Sequence, residues 1–137
     1  MIDIIKITVR GYHIDAYGHV NNTRYLEFLE EARWVIKDRY LSFFSKHPKK
    51  YGLVVANNTI NYFAPAFMDD SLRIESWIAK IGNKSVQFRH DIYNDDTGKL
   101  LLSARATFVL FNRLEKQSEQ IPGELRKKFS IIFDNKQ

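Results

Sequence analysis

Between Leu72 and Leu110 the chain holds a period of two for almost forty residues. Leu72, Ile74, Ser76 and Ile78 alternate with Arg73, Glu75 and Trp77; Val86, Phe88, His90 and Ile92 alternate with Gln87, Arg89 and Asp91; Leu100, Leu102, Ala104, Ala106, Phe108 and Leu110 complete the series. Alternation of this kind describes strands with one apolar face. Gly82-Asn83 and Asp95-Asp-Thr-Gly98 interrupt it as tight turns, so the three strands run antiparallel. An apolar sheet face must be covered by another layer. The cover lies upstream, where Tyr25, Phe28, Leu29, Ala32, Val35, Ile36, Tyr40, Phe43 and Phe44 recur at intervals of three and four and predict a helix over 23–44. His47-Pro48 stops it, because the residue before a proline disfavours the helical region. Residues 2–10 and 52–62 read as further strands, with Val54, Ala56, Ile60 and Tyr62 on one parity, and 121–129 as a short helix with Pro122 at its start. The expected class is α+β: one long helix against an antiparallel sheet. The helix is apolar on more than one narrow stripe, so the sheet is expected to curl around it.

The 137 residues suit one domain over 1–137 with one core. The chain contains no cysteine, which excludes disulfides, thiol catalysis and zinc–thiolate sites. The formal charge of +5 favours an anionic partner, but the bases are scattered rather than gathered in a stripe, which argues against a nucleic-acid module. The segment Met1–Lys6 carries an acid and no long apolar run, so neither signal peptide nor membrane span is expected, and a cytoplasmic location is the simplest expectation.

Chemistry concentrates in Asp15-Ala-Tyr-Gly-His-Val-Asn-Asn-Thr-Arg-Tyr25, directly before the long helix. A helix N-terminus presents unpaired N–H groups at the positive end of its dipole. A carboxylate a few residues upstream can face whatever those groups bind, and an acid/base beside an anion-stabilising amide is a minimal apparatus for attacking a carbonyl. Gly18 suits a bend or a close approach, and Asn21 and Asn22 suit a helix cap. Tyr25 falls on the core stripe. His13 and His19 form the only near histidine pair and lack a second acid at ligand spacing, so no metal site is expected. Asn57-Asn58-Thr59 breaks an otherwise apolar strand, as a solvent face, a bulge, or a contribution to a partner's site.

This motif, with Ile60-Asn-Tyr-Phe-Ala-Pro65 and Ile81-Gly-Asn-Lys-Ser85, resembles the hotdog-fold acyl-CoA thioesterases, in the 4-hydroxybenzoyl-CoA thioesterase-like branch. The resemblance implies a hotdog fold, in which a curled antiparallel sheet of five or six strands wraps a long central helix. It implies hydrolysis of a thioester of coenzyme A, or of acyl carrier protein, without metal or cofactor, in homodimers or homotetramers whose sites lie at the dimer interface. Asp15 matches the catalytic carboxylate, as nucleophile or general base. Asn22 matches the position whose backbone N–H polarises the thioester carbonyl, and His19 belongs to the same catalytic loop. Gly18, Asn21, Tyr25 and Asn58 are expected to border the substrate, and Lys84 to meet the nucleotide phosphates. Two other readings compete with hydrolysis: a dehydratase or hydratase of acyl thioesters in the same fold, and a binding protein that has lost turnover.

Overall fold

The computed structural model describes residues 1–136. It has six strands and three α-helices: β1 (Asp3–Thr8), α1 (Asn22–Tyr40), α2 (Ser42–Lys46), β2 (Tyr51–Tyr62), β3 (Ser71–Ile81), β4 (Ser85–Asn94), β5 (Leu100–Asn112), β6 (Gln117–Ser118) and α3 (Gly123–Ile131). All neighbouring strands are antiparallel, in the order β1-β3-β4-β5-β2, with β6 paired to the end of β5. The curled sheet wraps α1, which is the hotdog arrangement. The two expected hairpins form, at 82–84 and 95–99. The strand after α2 does not pair with its successor: β2 joins β5, and the chain then crosses to place β3 between β1 and β4.

α1 is capped by Asn21, whose side chain accepts from the Thr23 N–H at 2.9 Å. Tyr25, Phe28, Leu29, Ala32 and Ile36 bury one stripe against the sheet. The N-terminal half packs on Leu72, Ile74, Ile92 and Leu102. Ile36 and Leu41 pack with Ile78, Phe88 and Leu110, and α3 closes this end with Leu125 and Phe129. The expected single helix over 23–44 breaks at Leu41, whose backbone leaves helical geometry (φ −116°, ψ 50°), and Ser42 starts a separate turn that folds Phe43 inward. α3 begins one residue beyond Pro122, which serves as its N-cap.

In β2 a bulge between Val55 and Asn57 shifts the register by one residue. Consequently Leu53, Val55, Asn58, Ile60 and Tyr62 share the helix-facing side, paired with the inward positions of β5, while Val54 lies opposite Val109 on the outer face. The parity inferred for Val54 and Ala56 therefore fails at the bulge, since one inserted residue exchanges the faces. β2 is also a sheet edge, and of its twelve residues only Gly52 is buried.

A second bulge, between Ile78 and Lys80, receives the C-terminal segment. The Ile78 N–H donates to the Ile132 carbonyl at 2.8 Å and the Asp134 N–H to the Ile78 carbonyl at 3.0 Å. Trp77, on the outer face, is fully buried under this strap and donates to the Lys136 carbonyl at 3.2 Å.

Candidate active site

The motif folds as a tight loop pinned at both ends. Ile14 and Val20 form an antiparallel bridge, and the Asp15 N–H donates to the His19 carbonyl at 3.1 Å. Inside it, the Gly18 N–H returns to the Asp15 carbonyl at 3.1 Å, and Gly18 has φ +84°, a conformation that disfavours a side chain. One Asp15 carboxylate oxygen accepts the Tyr17 N–H at 2.9 Å, an Asx-type turn. Its other oxygen has no partner among the described residues. Arg24, the base nearest in sequence, pairs with Glu27 at 2.9 Å. His19 lies half-buried over Tyr17, ring planes 17° apart, with Nδ1 3.4 Å from the Val20 carbonyl. His13 is structural: its Nδ1 accepts the Arg10 N–H at 2.8 Å, its ring meets Phe28 edge-on, and burial lowers its pKa.

The start of α1 follows directly. Asn21 is tied back through its N–H to the His13 carbonyl at 3.0 Å, while the Asn22 N–H has no acceptor among the described residues. That donor is one of the orphan groups of the helix start. Asn22, His19 and Tyr25 line a hollow of about 240 Å³ with Tyr62, Phe63, Ala64 and Pro65. Tyr25 is a buried wall; its hydroxyl accepts the Ala66 N–H at 3.0 Å, and burial raises its pKa. Asp15 is in the same loop but not among the residues lining this hollow.

A second, larger cavity of about 550 Å³ lies further along α1, between the helix and β2. Leu26, one turn beyond Asn22, begins it, and Asn58, two strand repeats from Tyr62 on the inward face, faces it. Within a single chain the structure thus gathers His19, Asn22, Tyr25 and, further along, Asn58. Lys84 is elsewhere. It is exposed in the β3–β4 turn, where the Leu110 N–H donates to its carbonyl and α3 packs nearby through Arg126 and Gly82. That turn closes the end of the sheet opposite the start of α1, and the nine residue steps of β3 from Leu72 to Ile81 span about 30 Å.

Sequence inspection did not single out one polar group in the core. His90 is fully buried among the inward-facing residues. Its Nε2 lies 3.2 Å from an Arg33 guanidinium nitrogen and its Nδ1 2.7 Å from the Ser76 hydroxyl. Arginine can only donate, so Nε2 accepts and the ring proton sits on Nδ1, donated to Ser76. Burial, then the Arg33 charge, push the His90 pKa down to about 3. The signal was present: Ser76 and His90 occupy the apolar phase of β3 and β4, and polar groups there must find partners.

The profile of the thioesterase-like superfamily matches residues 9–129. The chain belongs to this superfamily. It is 41% identical over 123 residues, covering 90% of this chain and 93% of its relative, to the long-chain acyl-CoA thioesterase FadM of Escherichia coli K12. It is 29% identical over 129 residues, 92% of this chain and 96% of the relative, to the acyl-CoA thioester hydrolase YbgC of E. coli. The crystal structure of YbaW, a probable thioesterase from E. coli, superposes with a TM-score of 0.85 at 38% identity, covering 96% of this chain and 98% of that one. The protein is a hotdog-fold thioester hydrolase. No helix of the described residues is long and apolar enough to cross a membrane.

Proposed function

We propose that the protein hydrolyses acyl-CoA thioesters to the free acid and coenzyme A, with Asp15 as the catalytic carboxylate and the Asn22 N–H as the carbonyl-polarising donor. The observation carrying this reading is the orphan N–H of Asn22, a residue that lines the hollow, two residues after the pinned loop that leaves one Asp15 oxygen free. In the simplest course Asp15 takes a proton from water as the water oxygen bonds to the carbonyl carbon. The developing oxyanion is held by the Asn22 N–H and the dipole of α1. Collapse breaks the C–S bond, and the departing thiolate takes up the proton. Direct attack by Asp15, through an anhydride that water then opens, uses the same two groups. Gly18 and Asn21 hold the loop and the helix start rigid, His19 orients water or substrate, and Tyr25 walls the hollow.

The functional unit in this reading is a symmetric dimer joined along β2. The edge is long, exposed and rich in apolar residues, a surface that pairing protects. Antiparallel pairing of two β2 edges sets the Gly52 end of one chain beside the Tyr62 end of the other. The partner's β3–β4 turn then comes to the side of the sheet where α1 begins, so Lys84 serves the nucleotide of the neighbouring site rather than its own.

Thiol release from a series of acyl-CoA esters tests the reading. Asp15→Asn is nearly isosteric and is expected to lower the rate at least about 100-fold, within the usual range for a lost acid/base group, with an unchanged circular dichroism spectrum. A folded Asp15→Asn protein that turns over like the wild type removes Asp15 from the chemistry.

A further inference from the structure

β2 is exposed along its free edge, yet Gly52 near its start is buried. The Arg113 side chain covers it. A Cβ on Gly52 would lie 2.6 Å from Nη2 of Arg113 and 3.0 Å from its Nε, so the guanidinium can rest there only on a glycine. The root of the side chain is fixed as well: the Arg113 N–H donates to the Lys50 carbonyl at 2.7 Å. Three bases line the cavity between α1 and β2, namely Arg33, Lys37 and Arg113. Arg33 contacts His90 and is acted on by Glu30, and Lys37 meets Asp38 at 3.5 Å. Arg113 alone of the three has no carboxylate partner among the described residues. Its planar fork of donors suits two oxygens of one phosphate.

Arg113 follows β5 but lies over Gly52, so its charge sits on the edge strand itself. Lys84 belongs to the β3–β4 hairpin, and β5 stands between that hairpin and β2. At about 4.8 Å per strand it is about 10 Å behind the edge. In the β2-paired dimer the Gly52 end of one chain lies beside the Tyr62 end of the other. Tyr62 borders the hollow that Asn22 lines. Both helices then lie on the same side of the joined sheet. Arg113 of one chain is thus the first base met on leaving the other chain's hollow, and Lys84 is the second. A coenzyme A ester leaving that hollow presents pantetheine first, then the diphosphate, then the ribose phosphate.

We propose that Arg113 is a substrate-binding residue supplied to the neighbouring site, where its guanidinium holds the diphosphate of coenzyme A and leaves the ribose phosphate to Lys84. This rests on the hydrolase and β2-dimer readings above and divides the nucleotide between two bases. Gly52 is the positioning residue that gives the guanidinium its seat.

The test uses one acyl group on three thiols: coenzyme A, dephospho-coenzyme A, which lacks the ribose phosphate, and pantetheine, which lacks both phosphate groups. Arg113→Met should raise KM about tenfold for the first two esters with little change in kcat, and leave the third unaffected. Lys84→Ala should act on the first alone. Gly52→Ala, which keeps the charge but removes its seat, should follow Arg113→Met in kind. Mixed dimers of Asp15→Asn and Arg113→Met chains should regain low-KM hydrolysis, because one of their two sites combines an intact Asp15 with the neighbour's Arg113. An unchanged KM in a folded Arg113→Met dimer overturns the proposal, as does an equal loss on pantetheine, which would place Arg113 in the fold or against Asp15. Mixed dimers without low-KM activity, or a monomeric wild type, overturn the assignment to the neighbouring site. Calorimetry with the three free thiols needs no turnover. Arg113-dependent binding of the two nucleotide thiols, with no thiol release from any ester, supports the phosphate contact while rejecting the hydrolase reading.

Discussion

His90 makes this fold sensitive to mild acid in a calculable way. The folded protein holds the imidazole neutral, with a pKa of about 3 against an ordinary 6.5, because charging it would place a cation in the core facing Arg33. Below pH 6.5 the unfolded chain binds a proton at this residue that the folded chain refuses. Unfolding is then favoured as pH falls, and the effect saturates near pH 3. Above pH 6.5 neither state is protonated and the term vanishes. Two pKa values 3.5 apart give about 1.4 kcal/mol per pH unit within the window, or about 2.5 kcal/mol between pH 6 and pH 4. His90→Gln isolates the term. Its amide oxygen can accept from Arg33 and its amide nitrogen can donate to Ser76, so both hydrogen bonds survive without a titrating group. The pKa values of His13, Glu75, Asp95 and Glu119 are also lowered and carry the same sign, but both proteins share them and they cancel in the difference. The assay is urea unfolding of both proteins at half-unit pH steps from 7 to 4, at one protomer concentration, since any association adds its own free energy. Wild type is expected to lose about 2.5 kcal/mol relative to His90→Gln across the lower two units. Parallel stability curves would mean that His90 is protonated in the folded protein, and the Arg33–His90 contact as described could not exist.

Three further outcomes follow from the same geometry. Tyr25→Phe should destabilise the protein by about 1–3 kcal/mol in urea unfolding, because the buried Ala66 N–H loses its acceptor. Lys84→Ala should raise KM for acyl-CoA several-fold with little change in kcat, an effect that shrinks in high salt and disappears for a pantetheine thioester lacking the nucleotide; equal loss on both substrates would place Lys84 in the fold or the chemistry. Sedimentation at micromolar concentration should show a dimer or tetramer, and a fully active monomer would contradict the β2 pairing.

Legibility in the sequence followed the strength of each local signal. The alternation of β3, β4 and β5 was explicit because each strand presents one face to α1 and the other outward, and the residues assigned inward at Leu72, Ile74, Ile78, Val86, Phe88 and Ile92 are all buried. The register of β2 was legible only in part: the polar run Asn57-Asn58-Thr59 admitted a bulge as one of three readings, but nothing in the sequence fixes that the residue leaving the ladder is Ala56, and a single insertion exchanges faces for the rest of the strand. The break at Leu41 was hidden for a similar reason, since Phe43 and Phe44 keep helical spacing while the backbone turns between the two helices. The short 3-10 turn at Gly11–His13 and β6 are too brief to carry a period. At the candidate site the loop and helix start were readable, because glycine, asparagine and aspartate each suit a particular backbone geometry. Arg33 was not, since a base on a helix surface gives no sign of whether water or a cavity faces it.

The separation of Lys84 from Asn22 follows from the same topology that builds the rest. α1 enters the sheet at the Leu72–Leu102 end because the loop before it is tied there, through the Val20 N–H to the Ala66 carbonyl, and Val20 packs with Val9, Leu72 and Leu102 in one core cluster. The β3–β4 turn is the opposite end by construction, since a hairpin can join those strands only there. A single chain therefore cannot bring a base on that turn to a thioester held at the start of α1. A two-fold axis through the middle of β2 reverses one sheet relative to the other, and it is the simplest operation that brings the two ends together. The bulge at Ala56 lies near that midpoint, with Asn58 beside it and facing the cavity. In the proposed dimer each groove is then floored by one chain and completed by the other, which accounts for a strand that is long, well paired on one side and exposed along the other.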